Sequence, residues 1–455
     1  MSVIEPARTG TLAGPVGDTR AGVTRANQGG TESGQSGAKP AAGRSGARLA
    51  WLDALRGFAA LCVVFDHATY HVLEPARNWV YQWFDPGQYG VFVFFLVSGY
   101  IIPASLERKG SVKGFWISRV FRLYPLYLIA LAAAFAGSAK GWWHIGGAQH
   151  HPVTTAMSWL LMMPNIMTGP NVPNVIWTLS YEMVFYLVVA ALFSWRAHKP
   201  SGGYALGLAV GAVALGGVMP MYALTGLANR HGQAGLRLLD GTADVLIVGG
   251  VILAIAGSGK LAGTGAGKRA GQIGATVAAL AALTLLGFNQ YYPYPWSSFT
   301  ILALMFTGTL IYRAQKGETS KAKAAAISLA VLALTLAAGL WHGGTYGSPW
   351  LWQWVTSLVG AAVTFAIGLV LRHRNVPAPL AWLGLVSYSV YMLHPLVLDA
   401  YSHLSQHLNG ASTGVQIVIT FGIVAAVLLV SAAAYYFVEK PMQKAGRWVT
   451  AHTSG

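Results

Sequence analysis

The sequence predicts an all-α polytopic membrane protein of about 10–12 transmembrane helices, with the N-terminal tail and the C-terminus both cytoplasmic. Three observations carry that prediction. The chain is 54% hydrophobic and only 10% charged, with a mean hydropathy of +0.50, a balance foreign to soluble domains. Apolar segments approaching the roughly 20 residues needed to cross a bilayer recur along its length. The basic residues alternate with those segments. With the tail placed inside, 26 of the 30 Lys and Arg fall on the inner side, and only Arg77, Lys140, Arg230 and Arg237 fall outside. Such an asymmetry sets orientation. It also accounts for the net charge of +16: basic residues hold helices at an anionic inner leaflet, so no nucleic-acid partner is needed.

Residues 1–49 are rich in Gly, Ala, Ser, Thr and Arg, lack an apolar run, and are expected to form a disordered cytoplasmic tail. Without an apolar core they are not a signal peptide. Twelve apolar segments follow, near 50–72, 88–106, 120–137, 176–195, 204–223, 242–257, 272–288, 298–313, 324–341, 353–371, 381–401 and 414–438. Residues 50–442 read as one transmembrane domain and 443–455 as a short cytoplasmic tail. The longest outer loop, 138–175, holds His144, His150 and His151, expected to be solvated. Trp142, Trp143 and Trp159 in it fit an interfacial belt. Its weakly apolar AMSWLLMMPNIM is short for a span and is expected to lie at the interface or to re-enter. Ser98-Gly99 in FFLVSGYII is expected to serve close helix packing. With Cys62 the single cysteine, no intrachain disulfide and no cysteine-based metal site is possible.

The first span, within ARLAWLDALRGFAALCVVFDHATYH, carries Arg56 and His67. Eleven residues at about 100° each make three turns plus about 20°, so both side chains share one face, about 16 Å apart along the axis. Ionisable groups at that depth are expensive, so they face a protein interior or a watery cavity and mark function. The same logic singles out Glu182 in NVIWTLSYEMVFY and His394 in SYSVYMLHPL. The alternating topology sets both at the depth of His67, with Asp66 adjacent to it. At the opposite mouth it gathers Arg56, Arg119, Arg122, Glu439 and Lys440.

Arg119 and Arg122 in ISRVFRLYPLY either anchor the cytoplasmic start of the third span or bind phosphates bidentately. Pro125 beside them sits either in an N-terminal turn or at a kink. His394, followed by Pro395, reads equally as a satisfied helix-end histidine. Asp53 is spaced to pair with Arg56. His67 and His71 have the spacing of a metal pair, but no third ligand matches, so no metal is expected. Ser387, Tyr388 and Tyr391 share or flank the His394 face and are placed to hydrogen-bond an acceptor or a developing oxyanion.

LDALRGFAALCVVFDHA, GVFVFFLVSGYII, RVFRLYPLY, IWTLSYEMVFY, GLVSYSVYMLHP and YYFVEKP occur in that order. Together they resemble the acyltransferase-3 family of integral-membrane O-acyltransferases, which includes acetylases of bacterial surface polysaccharides and acylases of macrolide sugars. The resemblance runs from about residue 50 to 442 and is carried by both ends; between about 200 and 375 only the helix count and LMFTGTLIYR support it. It implies a multi-pass enzyme of a bacterial plasma membrane. It also implies cytoplasmic acyl-CoA, acetyl-CoA first, as co-substrate with no bound cofactor. The acceptor implied is a hydroxyl of a glycan, glycolipid or glycosylated natural product.

Residue by residue, Arg56 and His67 match the family's essential Arg-x10-His pair, and Arg119 and Arg122 its donor-associated Arg-x-x-Arg. Glu182 matches the Glu after the Trp-[Ser/Thr]-Leu signature, and His394 the histidine of the Ser-Tyr-x-x-Tyr-x-x-His run. Arg119, Arg122 and Arg56 would hold the donor. His67 would be the general base or an acyl-carrying nucleophile. Glu182 would orient a histidine or hold the acceptor, with His394 catalytic beside it. Asp66, Ser387, Tyr388 and Tyr391 would meet the acceptor. Family members typically have about ten spans, against twelve segments here. Some carry a C-terminal esterase-like domain; this chain shows none and is expected to complete its reaction alone. The rival expectation is a secondary transporter of a small anionic or polar solute, but transporters usually repeat their halves, and here the charged motifs crowd into spans 1–4 and the last two.

Overall fold

The computed structural model describes residues 43–142, 145, 152–258, 263–290, 294–344, 347–404 and 412–453. Among these residues there are helices and no strand. Each of the twelve apolar segments carries a helix, with 204–223 helical only as far as Ala214: α1 (Gly43–Val72), α3 (Pro86–Lys109), α4 (Val112–Ala139), α6 (Ile176–Ser194), α7 (Ser201–Ala214), α9 (Gly232–Gly257), α10 (Gly265–Phe288), α11 (Pro295–Gln315), α12 (Lys321–Gly343), α13 (Ser348–Leu371), α14 (Ala378–Leu404) and α15 (Thr413–Ala434). Between and after them lie α2 (Glu74–Tyr81), α5 (Pro152–Leu160), α8 (Ala223–Asn229) and α16 (Lys440–Thr453). A π-helical turn, Tyr435–Glu439, joins α15 to α16.

Ten of these helices are long and apolar enough to cross a membrane. α1 is not among them, because Arg56, Asp66 and His67 dilute its apolar run. α7, at 14 residues, extends only about 21 Å, less than the hydrocarbon core. Packing decides how both count. Gly57 lies against Gly384, and ten residues on His67 lies against His394, so α1 and α14 run parallel. Nine segments separate them in sequence, and the chain has to cross an odd number of times between parallel spans. α7 is therefore needed in the alternation, short as it is.

Glycines set the closest approaches. A Cβ on Gly57 would stand 2.6 Å from the backbone nitrogen of Gly384. A Cβ on Gly99 or Gly308 would collide with the facing backbone where α3 crosses α11, which is the close packing that Ser98-Gly99 foreshadows.

Several boundaries differ from the sequence expectation. α3 ends at Gly110, φ +64°, a conformation natural only to glycine. Ser111 then caps α4 by accepting from the Gly114 N–H at 3.3 Å. The cap starts α4 at Val112, so Arg119 and Arg122 lie two turns inside a helix rather than at its start. Pro125 is likewise interior.

α1 begins at Gly43, inside the expected tail; residues 1–42 lie outside the described residues. The expected C-terminal tail is helix α16, packed on α4 with Gly446 against Phe121. In AMSWLLMMPNIM, α5 ends at Leu160, and Met162, Met163 and Ile166 beyond it are fully buried. Trp159 is buried too, its indole N–H donating to the Pro170 carbonyl at 2.9 Å. Trp142 stays half-exposed, stacked on His403. Trp143, His144, His150 and His151, and the side chain of His71, lie outside the described residues.

Candidate active site between α1, α6 and α14

His67 and His394, 327 residues apart in sequence, are joined by a 2.9 Å hydrogen bond between His67 Nδ1 and His394 Nε2. Their rings stack with centroids 5.0 Å apart. His394 is fully buried, and its Nδ1 stands 3.1 Å from the Val390 carbonyl oxygen. A carbonyl only accepts, so His394 Nδ1 carries a proton and its Nε2 accepts from His67 Nδ1–H. The chain of bonds assigns the His394 tautomer and puts a proton on His67 Nδ1, so the lone pair of a neutral His67 ring is on Nε2. That nitrogen lies 3.8 Å from Asp66 Oδ2.

His67 borders a cavity of about 250 Å³ at the end of the bundle away from the basic residues. Asp66, Asp85, Gln88 and Asn174 line it beside the indoles of Trp177, Trp296 and Trp354. Asp66 is buried and accepts from the hydroxyl of Tyr81 on α2. The Arg77 guanidinium lies 3.9 Å from the centre of the Tyr81 ring. Gly87 makes room for Asp66, since a Cβ there would come 2.6 Å from Oδ2. Asp85 caps α3, accepting from Gln88 N–H at 2.8 Å. Burial and the neighbouring Asp66 charge raise its carboxyl to about 6.

Glu182 does not reach the histidines. The Thr178 hydroxyl, one turn earlier on α6, stands at that level and donates to the Tyr391 hydroxyl at 2.9 Å. Glu182 instead accepts from the Tyr186 hydroxyl, nearer the basic end. The reason is length: four residues of helix displace a side chain by about 6 Å. Alternation of spans alone did not resolve that step.

Around Glu182 the basic cluster forms. Arg119 is buried, its guanidinium 5.0 Å from the Tyr186 ring and 5.2 Å from the Phe115 ring. Arg56 lies 3.9 Å from Asp53, within the fields of Arg122, Glu182 and Glu439. Glu439, carried inward by the π turn, accepts from Ser389 and Gln443, each at 2.9 Å. Three arginines thus face Asp53, Glu182 and Glu439, and the charges balance. Lys440 does not join them; it is exposed, over the ring of Tyr436.

The remaining expected site residues divide. Asp66 and Tyr391 line the cavity. Tyr388 donates to the Leu123 carbonyl and Ser387 to that of Gly384, each at 2.8 Å. Between the two ends lies a void of about 10 Å³, bordered by Arg56, Ala60, Gly90, Ser387 and Tyr391, room for about one water. No group of three or more potential metal ligands forms among the described residues.

Sequence reasoning passed over Tyr81, Tyr186, Thr178 and Ser389. Tyr186 is one helical turn from Glu182 and was findable by spacing. Tyr81 sits on a short polar helix with nothing to mark it.

These features define a multi-pass membrane protein built around a histidine pair between α1 and α14, with an arginine–carboxylate cluster drawn from α1, α4, α6 and the π turn. The acyltransferase-3 family model, described as an acyltransferase domain, matches residues 49–236 and 245–436. The chain belongs to that family. It is similar to nodulation protein 10 of Rhizobium leguminosarum bv. viciae, 31% identical over 36% of this chain and 48% of that protein. It is similar to the acyltransferase MdmB of Streptomyces mycarofaciens, 33% identical over 31% of this chain and 38% of that one. A Komagataeibacter xylinus protein named as a membrane-bound transacylase is 24% identical over 86% of this chain and 81% of its own length. The chain thus spans about half or less of the length of the first two relatives. No solved structure matches it.

Proposed function

We propose that this protein is a membrane O-acyltransferase that moves an acyl group, acetyl in the first instance, from cytoplasmic acyl-CoA to a hydroxyl of a carbohydrate or glycosylated acceptor. The observation that carries this reading is the His67–His394 bond, which leaves His67 Nε2 as the base at the cavity. The acceptor hydroxyl gives its proton to Nε2 as its oxygen attacks the thioester carbonyl. The C–S bond breaks, and the thiolate leaves as coenzyme A, taking that proton. His394 holds the reactive tautomer and shares the imidazolium charge. The same Nε2 would serve an acyl-histidine route; a base needs no acylated intermediate, and trapping one would decide between them. Indoles beside carboxylates and amides suit a sugar, which offers apolar ring faces and a rim of hydroxyls.

In this reading the arginine cluster guides the phosphates of the donor. Arg119 is sealed under two aromatic rings and paired in charge, so its share is to hold Glu182 and the helix, and the more accessible Arg122 and Arg56 meet phosphate. The void of about 10 Å³ between the cluster and the histidines is too narrow for a pantetheine arm. Delivery from the basic end then requires α1 to separate from α3 near Gly90. The transporter alternative has no observation in its favour beyond the number of spans.

The test is turnover of acetyl-CoA by the purified protein in detergent, with and without a glycoside acceptor. Saturable binding weakened by Arg122→Ala, with turnover abolished by His67→Ala in a folded protein, supports the reading. Unchanged turnover in His67→Ala sinks it.

A further inference from the structure

Away from the histidine cavity, α3, α11, α12 and α13 enclose a second cavity of about 540 Å³. Its walls are apolar through most of their depth, with Leu96, Leu304, Leu332 and Phe365 among them. The charged lining gathers at one end. Lys321 opens α12, and Arg372 follows the last residue of α13. Both lie at the basic end of the bundle, where α11 also finishes. The Arg372 guanidinium is anchored on the Leu369 carbonyl at 2.6 Å, which holds it at the mouth. The start of α12 adds the positive end of a helix to these two cations. Ser328, two turns further along α12 and facing the cavity, has a buried hydroxyl oxygen with no hydrogen-bond partner.

We propose that this cavity is a binding site for an anionic glycerophospholipid of the leaflet at the basic end. One acyl chain fills the apolar part, and the phosphate sits between Lys321 and Arg372. The Ser328 hydroxyl donates to an ester oxygen. Such a lipid is complementary to the pocket along its depth: two cations and a helix N-terminus at the mouth, an unsatisfied hydroxyl below, and apolar walls beyond. A zwitterionic lipid would meet the same cations with its own cation. Free phosphate would leave the apolar part without an occupant. None of these residues takes part in the acyl-transfer reading, and the site stands or falls separately from it.

The full chain, reconstituted in nanodiscs of phosphatidylcholine with a small fraction of phosphatidylglycerol, is extracted gently and analysed by native mass spectrometry. Preferential retention of phosphatidylglycerol is expected. Lys321→Gln/Arg372→Gln should reduce the retained fraction about tenfold or more, each basic residue near the surface being worth about 1 kcal/mol. Ala362→Trp, which fills the cavity while leaving both cations, should do the same. Gel filtration and melting temperature of each variant establish folding, and Lys321→Gln alone, at an exposed residue, provides a variant with little structural risk. Equal retention of both lipids would overturn the proposal, leaving a non-selective apolar groove. So would retention unaffected by the variants, protection by inorganic phosphate alone, or displacement of the lipid by long-chain acyl-CoA at equal concentration.

Discussion

The two ends of the α1–α14 pair use titratable residues in opposite ways. At the histidine end two rings share one proton chain beside a cavity, and the side chain of His67 remains 37% exposed. At the basic end three arginines and three carboxylates are packed together, and the void bordered by Arg56 is only about 10 Å³. A charge withdrawn from water is costly unless paired, and a paired charge is held fast. The basic cluster therefore behaves as architecture that also has affinity for anions, whereas the histidine end has the mobile proton and the space that chemistry needs. The comparison separates residues whose loss should stop turnover from residues whose loss should unfold the helix bundle.

The largest expected effect is on turnover at the histidine end. His67→Ala should lower acetyl-CoA-dependent acylation by about 10²- to 10⁴-fold, the range of general-base catalysis, with an unchanged melting temperature. His394→Ala should fall short of that loss, and His394→Gln, whose amide oxygen still accepts from His67 Nδ1–H, should recover part of it. Equal losses in both His394 variants would break the tautomer argument.

Next comes stability at the basic end. Arg119→Ala leaves Glu182 buried with less compensation and should destabilise by about 3–5 kcal/mol, read as a drop in thermal midpoint. Glu182→Gln in the same chain should restore part of it. An Arg119→Ala protein of normal stability that fails only to bind donor would return Arg119 to a direct phosphate contact.

A third effect joins the ends. Gly384→Leu forces α14 away from α1 ten residues from the histidine bond, so it should reduce turnover as well as stability; retained activity would show that the bond does not depend on this contact.

The smallest effect is a pH dependence. The Asp85 carboxyl is raised to about 6 by burial and by Asp66, so the folded protein binds this proton more tightly than the unfolded chain. Its contribution to stability is present below the ordinary carboxylate range and is lost as pH rises through about 6. Asp85→Asn should flatten the fall in stability across that window, worth at most about 3 kcal/mol. An unchanged profile would place the titration elsewhere.

Much of this was legible in the sequence for simple reasons. Helices in a bilayer satisfy their own backbone, so the twelve runs of apolar residues map onto α1, α3, α4, α6, α7 and α9 to α15. Eleven residues of helix put Arg56 and His67 on one face whatever surrounds them. The charged motifs stood out because charge is rare in such a chain. Depth along a span was less legible: alternation of spans is too coarse to separate Glu182 from Thr178, and the Ser111 cap moved Arg119 and Arg122 into the interior.

The sequence by itself determined the class of fold, the candidate histidines and the clustering of basic residues at one end, because these follow from hydrophobicity and helical period, which act locally. Only the tertiary structure decided that α1 lies parallel to α14 in the register that bonds His67 to His394. It also decided that Tyr81 reaches Asp66 and that Glu182 faces the arginines of α1 and α4. Those contacts join residues on different helices, some through glycines whose only property is the absence of a side chain, and they are settled by which surfaces of the helices fit closely.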